Sequence, residues 1–280
     1  MKLNERACVL LSGLAGIDGV REKQFALNDH KATVFDVGVA ARLTEKHSRK
    51  AGLLTAAASA GGLAFISING RVLSVKIPKH VALATLGCQM AGWAIPVGGE
   101  TALGSGPARI LAQKPSAIYQ KIRYHETAKQ AALLLEAKSL PDEQTFNYVF
   151  EKTNVNELVV AVFKGDSPVG LLNVLARVVE LAVFRLDYLG YDANKIVSAR
   201  GSVRIPKEAG MCAANDALIY DSSVELQVKQ WDDSLAEKCV STSSSCFGKK
   251  FKELYEQAGC NFYKMDESIF APARLTVRKV

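Results

Sequence analysis

The chain is predicted to adopt a mixed α/β (α+β) fold, and three observations carry that prediction. Strand-like runs rich in β-branched residues alternate with helix-like runs from one end to the other. No low-complexity linker interrupts them. Of the 280 residues, 49% are hydrophobic and 22% charged, which is ample material for one large core or two smaller ones and argues against extensive disorder.

Taken in order, the elements read as follows. ACVLLSGLAG (7–16) has the apolar character of a signal-peptide core, but Glu5 precedes it and no clean small-x-small cleavage site follows. It reads as the first helix of a cytoplasmic protein, with DGVREK (18–23) continuing as an amphipathic helix. KATVFDVGV (31–39) is a strand ending near Gly38, and RKAGLLTAAASAGGL (49–63) is a helix stopped by Gly61 and Gly62. FISINGRVLSVKIP (65–78) carries Asn69–Gly70 between two alternating segments and predicts a hairpin. HVALATLGCQMAGW (80–93) reads as a small-residue helix suited to close packing.

AKQAALLLEA (128–137) fits strand or helix by pattern alone. PDEQTFNYVFEKTN (141–154) opens with Pro and acidic residues, as a helix start should. ELVVAVFK (157–164) is a strand, and GLLNVLARVVELAVF (170–184) a strongly apolar helix. DALIYDSSVELQVK (216–229) reads as a hairpin, FGKKFKELYEQAG (247–259) as a helix and ARLTVRKV (273–280) as a closing strand.

Several function classes are disfavoured. The longest apolar helix contains Arg177, Glu180 and Arg185, too many charges for a membrane span. Six cysteines without CxxC spacing read as reduced core residues, and four histidines without HExxH or paired spacing make a protein-borne metal site an unfavoured reading. The net charge of +7 is spread along the chain, with EKHSRK and FGKKFK as its only clusters. Solvated faces account for these better than a nucleic-acid groove, while a small anionic ligand remains open.

Candidate chemistry sits in a few stretches. In GSGPAR (104–109), Gly104, Ser105 and Gly106 form a turn into a helix that starts near Pro107, where free N–H groups and a mobile Arg109 could meet an anion; a well-capped tight turn explains the same residues. Arg177 and Glu180, three apart in a helix, share a face and can meet. Since the surrounding residues are apolar, the pair is either a surface ion pair or the charged lining of a cleft. Asn215–Asp216 ahead of a strand could bind a ligand or shape a turn. Lys264 and Asp266 lie in NFYKMDESIFAPA (261–273), where Phe262 and Phe270 read as core anchors.

The series GGL (61–63), LGCQMAGWAI (86–95), GSGPAR (104–109), LPDE (140–143), ARVVE (176–180), NDALIY (215–220) and FYKMD…FAPA (262–273) resembles, in colinear order, the methenyltetrahydromethanopterin cyclohydrolase family. That resemblance implies a single unit over residues 1–280 built of two intertwined α/β subdomains, with a substrate cleft between them and no boundary marked in the sequence. It implies a cytoplasmic homo-oligomer, dimer or trimer, that acts on a reduced pterin, needs no cofactor and binds neither membrane nor nucleic acid. Water would add to the methenyl carbon of a tetrahydropterin to give the N5-formyl form. Glu180 would be the general base and Arg177 would orient it. Gly104, Ser105, Gly106, Arg109, Asn215, Asp216 and Lys264 would contact substrate.

Some family positions differ. An Arg and a Thr ahead of Asn215 are replaced in MCAANDA, and Ser245, Cys246 and Phe247 stand for Arg, Asp and Tyr. Glu100 and Thr101 occupy positions where aromatics are expected. An arginine contact to an anion cannot be replaced by Ala. Three readings follow, in this order: a cyclohydrolase with relaxed tail recognition, a paralogue acting on another reduced pterin or cyclic amidine, and a non-catalytic pterin-binding helper.

Overall fold

Eleven strands in two sheets organise the computed structural model, which describes residues 1–280. In chain order they are β1 (Arg21–Leu27), β2 (His30–Gly38), β3 (Phe65–Asn69), β4 (Val72–Ile77), β5 (Trp93–Val97) and β6 (Glu100–Ser105). Then come β7 (Gln130–Glu136), β8 (Glu157–Phe163), β9 (Ile196–Arg204), β10 (Ser223–Val228) and β11 (Arg274–Lys279). The helices are α1 (Leu3–Ser12), α2 (Glu45–Ser59), α3 (Ala108–Leu111), α4 (Ser116–Ile122) and α5 (Glu143–Thr153). They continue with α6 (Pro168–Leu175), α7 (Val178–Tyr188), α8 (Met211–Asp221) and α9 (Phe251–Gln257), and a π-helical turn spans Leu83–Gln89.

The first sheet runs β1-β2-β8-β7-β6-β5 and the second β11-β10-β9-β4-β3. In the first, β2, β8 and β7 are parallel neighbours. Parallel strands are covered on both faces, and the ambiguous run at 128–137 accordingly resolves as the strand β7. Leu134 packs with α1 residues on one face, while Leu133 and Leu135 pack with Phe146 and Val149 of α5 on the other. In the second sheet, α7 lies so close to β9 that a Cβ at Gly201 would stand 2.7 Å from Val178. Helices α2 and α6 sit between the sheets, lending Ala51 and Val169 to one core and Ala56 and Leu172 to the other. Their contact is tight: a Cβ at Gly52 would come within 2.7 Å of Leu172.

Several expectations hold. The 65–78 segment is the β3–β4 hairpin, turning at Gly70–Arg71 with Gly70 at φ +57°. Asp142 caps α5 by accepting the Thr145 N–H at 2.9 Å.

Others are corrected. Residues 21–27 form β1 instead of prolonging a helix, because they pair in antiparallel register with β2. The 80–93 stretch is a π-helical turn followed by β5, with Thr85 O receiving the Met90 N–H at 2.9 Å. The 216–229 hairpin is absent: Met211–Asp221 is the helix α8, and only Ser223–Val228 is extended. The segment after GSGPAR is two short helices, α3 and α4. The apolar helix expected over 170–184 is broken into α6 and α7, and that break builds the site.

Candidate active site

Helix α6 starts where β8 ends. Ser167 caps it, its hydroxyl oxygen accepting the Gly170 N–H at 3.0 Å, and Pro168 occupies the first turn. The helix stops at Leu175 because its last carbonyls are diverted. The Arg177 N–H closes onto Val174 O at 3.0 Å, and Ala176 O accepts the Gln89 side-chain amide at 3.1 Å. Arg177, at φ −79° and ψ 8°, thus sits at an elbow, and α7 restarts with Glu180 in its first turn.

Beside this elbow lies a cavity of about 80 Å³, lined by Glu136, Arg177, Glu180, Asn215, Tyr255 and Phe262 among others. It shares Leu103, Glu136, Met211, Tyr255 and Phe262 with a larger cleft of about 1050 Å³. One wall of that cleft is the end of the first sheet, with Thr101, Glu136, Lys164 and Asp166; the other is α8, α9 and the turn to Tyr263. The carboxyl ends of β7 and β8 point here, the edge where α/β sheets bind ligands.

The expected meeting of Arg177 with Glu180 is corrected in one respect. Both line the cavity, but they do not pair. Arg177 Nη2 donates to Gln89 O at 3.0 Å, and its Nε is buried without a partner. The reason is that the Arg177 guanidinium is engaged by Gln89 O, for the backbone between the two residues is regular, the Leu181 N–H closing onto Arg177 O at 2.8 Å. The Glu180 carboxylate is 6% exposed and accepts no hydrogen bond from the protein. Burial pushes its carboxyl above the usual carboxylate range, while the charges of Arg177 and, more weakly, Arg109 pull it back. Glu136 closes β7 and is half-buried, also without a protein donor. Burial raises its carboxyl too, opposed by Arg177 and reinforced by Asp166.

The other expected site residues divide. Asn215 lines the cavity, but from mid-helix, its Nδ2 donating to Met211 O at 2.9 Å. Asp216 faces elsewhere and accepts the Phe251 N–H at 2.7 Å, so it caps α9. Lys264 is exposed in a separate pocket of about 180 Å³ with Cys246 and Asp266. Gly104 and Ser105 end β6, and Gly106, at φ +97°, donates its N–H to Cys88 O at 2.8 Å. In this turn it is Leu103 that reaches the cavity.

Arg109 is no mobile charge. It is 1% exposed and fastens the π-helical turn, donating Nη1 to Leu86 O at 3.0 Å and Met90 O at 2.8 Å, and Nε to Lys114 O at 3.1 Å. Burial pushes its guanidinium down to about 10.

Glu136, Tyr255 and the cavity-facing role of Phe262 escaped the sequence reading. A signal for Glu136 existed: a charge closing an apolar strand at the carboxyl edge of a parallel sheet. Glu100 and Thr101, standing where aromatics were expected, do line the cleft. No three His, Cys, Asp or Glu side chains converge as a metal site.

The chain matches the family described as Cyclohydrolase (MCH) over residues 3–280. It is 38% identical over 265 residues to a methenyltetrahydromethanopterin cyclohydrolase of Methanocella arvoryzae, covering 89% of this chain and 82% of that protein. A protein of the same name from Methanocaldococcus jannaschii is 37% identical over 270 residues, covering 89% of this chain and 82% of its own. One from Methanoregula boonei is 32% identical over 294 residues, covering 100% of this chain and 92% of its own.

Proposed function

Since the chain belongs to the cyclohydrolase (MCH) family, we propose that it hydrolyses the methenyl bridge of methenyltetrahydromethanopterin to the N5-formyl form in one-carbon metabolism. The observation that carries the mechanism is Glu180, a buried carboxylate without a protein partner that borders a cavity beside Arg177.

The methenyl carbon lies between two nitrogens and carries delocalised positive charge. A water oxygen bonds to it while Glu180 takes one water proton, giving a neutral tetrahedral adduct. The adduct then forms its C=O bond and breaks the bond to the arylamine nitrogen. Glu180 returns its proton to that nitrogen, and the adduct hydroxyl releases its proton to solvent, so one proton is produced per turnover. A carboxylate left unpaired is ready for this work, whereas one locked to Arg177 would be a weaker base. Arg177, anchored through Gln89 O, directs its positive field at the carboxylate and at the oxygen being transferred. Asn215 and Leu103 bound the reacting end, and the larger cleft takes the rest of the pterin and its tail. Gly104, Ser105, Gly106 and Arg109 serve by holding that wall in place. The residues alone supply this chemistry, with tetrahydromethanopterin as one-carbon carrier and substrate.

The same reading takes the protein as a cytoplasmic homo-oligomer of one cyclohydrolase-like unit with two intertwined subdomains; light scattering tests the assembly. A specific observation favours altered tail recognition: polar Glu100 and Thr101 in the cleft where rings are expected. A paralogue using another reduced pterin is therefore the second reading. The deciding experiment follows the near-ultraviolet absorbance of the methenyl compound. Loss of absorbance that Glu180→Gln abolishes supports the cyclohydrolase. Tight binding without turnover replaces it with the binding-only helper, and turnover of folate-type methenyl compounds alone replaces it with the paralogue.

A further inference from the structure

The charges around the small cavity do not balance for a cationic substrate until Glu136 is included. Arg177 is held by Gln89 O, and Arg109 by the carbonyls of Leu86, Cys88 and Met90, so neither guanidinium can withdraw. Both act on Glu180. Arg109 lies behind the lining, and of the charges that line the cavity Arg177 and Glu180 cancel, so without Glu136 the lining carries no net negative charge. Such a lining offers a methenyl cation no counter-charge. Glu136 is the other charged side chain lining it, and it lines the cleft as well, so it stands where the two spaces join.

The fold also leaves room for it. A Cβ at Gly165 would lie 2.3 Å from Glu136 Oε1, so the carboxylate rests on a glycine that leaves it room. No protein N–H or O–H donates to it, and no cation forms an ion pair with it; Arg177 acts on it only through its field. It is a carboxylate without a resident partner at the entrance to a pocket whose other two lining charges, Arg177 and Glu180, cancel.

Resting on the cyclohydrolase reading, we infer that Glu136 supplies the counter-charge for the methenyl cation, leaving Glu180 free to take the proton from water. Glu136 is thereby a substrate-binding residue that selects the cationic form of the carrier over the neutral formyl form. The electrostatics divide the labour between the two carboxylates. The one shadowed by both arginines serves as base, and the one at the junction holds the cation.

The test compares two ligands that differ in this charge and share the same tail. Equilibrium binding of the methenyl and formyl forms of tetrahydromethanopterin is measured on the full chain carrying Glu180→Gln, which prevents turnover, with and without Glu136→Gln. Gln keeps the shape and hydrogen-bonding oxygen of Glu while removing its charge. The expected result is about a tenfold loss of affinity for the methenyl form, the order expected of one charge in a partly solvated pocket. The formyl form should change less than about twofold, and the methenyl loss should shrink as salt is raised. Glu136→Asp, which keeps the charge, should retain the preference for the cation; this variant decides the matter if the Gln variant does not fold. Equal weakening of both ligands, or none, overturns the inference while leaving Glu180 as base. If the Glu180→Gln and wild-type chains bind neither ligand, the cyclohydrolase reading itself falls, and the role of Glu136 with it.

Discussion

Arg109→Ala separates a structural from a ligand-binding reading of GSGPAR. Arg109 donates to Lys114 O at 3.1 Å, Leu86 O at 3.0 Å, Cys88 O at 3.3 Å and Met90 O at 2.8 Å, all from a side chain that is 1% exposed. At about 1–1.5 kcal/mol net for each hydrogen bond, their loss is worth about 4–6 kcal/mol. Release of a long side chain from its single rotamer returns about 2 kcal/mol, while the space left behind adds a penalty of similar size. A net destabilisation of about 4–6 kcal/mol remains, a large fraction of the stability of an ordinary domain. At about 2–4 °C per kcal/mol for a chain of this size, Tm should fall by about 8–24 °C. Thermal melting followed by circular dichroism measures the change at low and high salt. The drop should be the same at both, because these bonds are buried and poorly screened. A melting point within about 2 °C of wild type would refute the reasoning, and so would an Arg109→Ala variant that only weakens ligand binding in a salt-dependent way.

Two further predictions concern the site and its edge. Glu180 must be ionised to act as base, and burial sets its carboxyl above the usual carboxylate range against Arg177 and Arg109. The value of kcat/KM, which reports the ligand-free protein, should therefore fall on acidification with a midpoint above that of a free glutamate, about 4.3. Arg177→Ala removes the stronger of the two opposing charges, so the midpoint should move further up in a kcat/KM–pH profile; movement downward would contradict the assignment. Asp216→Ala should cost about 1 kcal/mol, because it removes the cap on the Phe251 N–H. Its kcat and KM should stay those of wild type in a steady-state assay, and a rate loss beyond about threefold would return Asp216 to the active site.

Local interactions made much of the fold legible from the residues alone. The β3–β4 hairpin follows from Asn69–Gly70 between alternating segments, α5 from Asp142 and its acidic first turn, and β8 from an unbroken apolar run. The charged Arg177 and Glu180 stranded in the apolar 170–184 stretch pointed to a cavity for a related reason: burying a charge without purpose is expensive. What escaped was decided by contacts between residues far apart in the chain. Gln89 reaches 87 residues along to Ala176 O and helps break one expected helix into two, and its backbone carbonyl takes the Arg177 guanidinium that would otherwise face Glu180. Arg109 turned from a ligand for anions into a strut because two carbonyls of the π-helical turn, Leu86 and Cys88, and that of Met90 just past it surround it. Glu136 joined the cavity only because β7 lies parallel to β8 and ends at the same edge. Periodicity and turn chemistry act over a few residues and are written in the sequence; the angle at which a helix breaks, and which charges share one cavity, depend on hydrogen bonds and packing that exist only once distant segments have met.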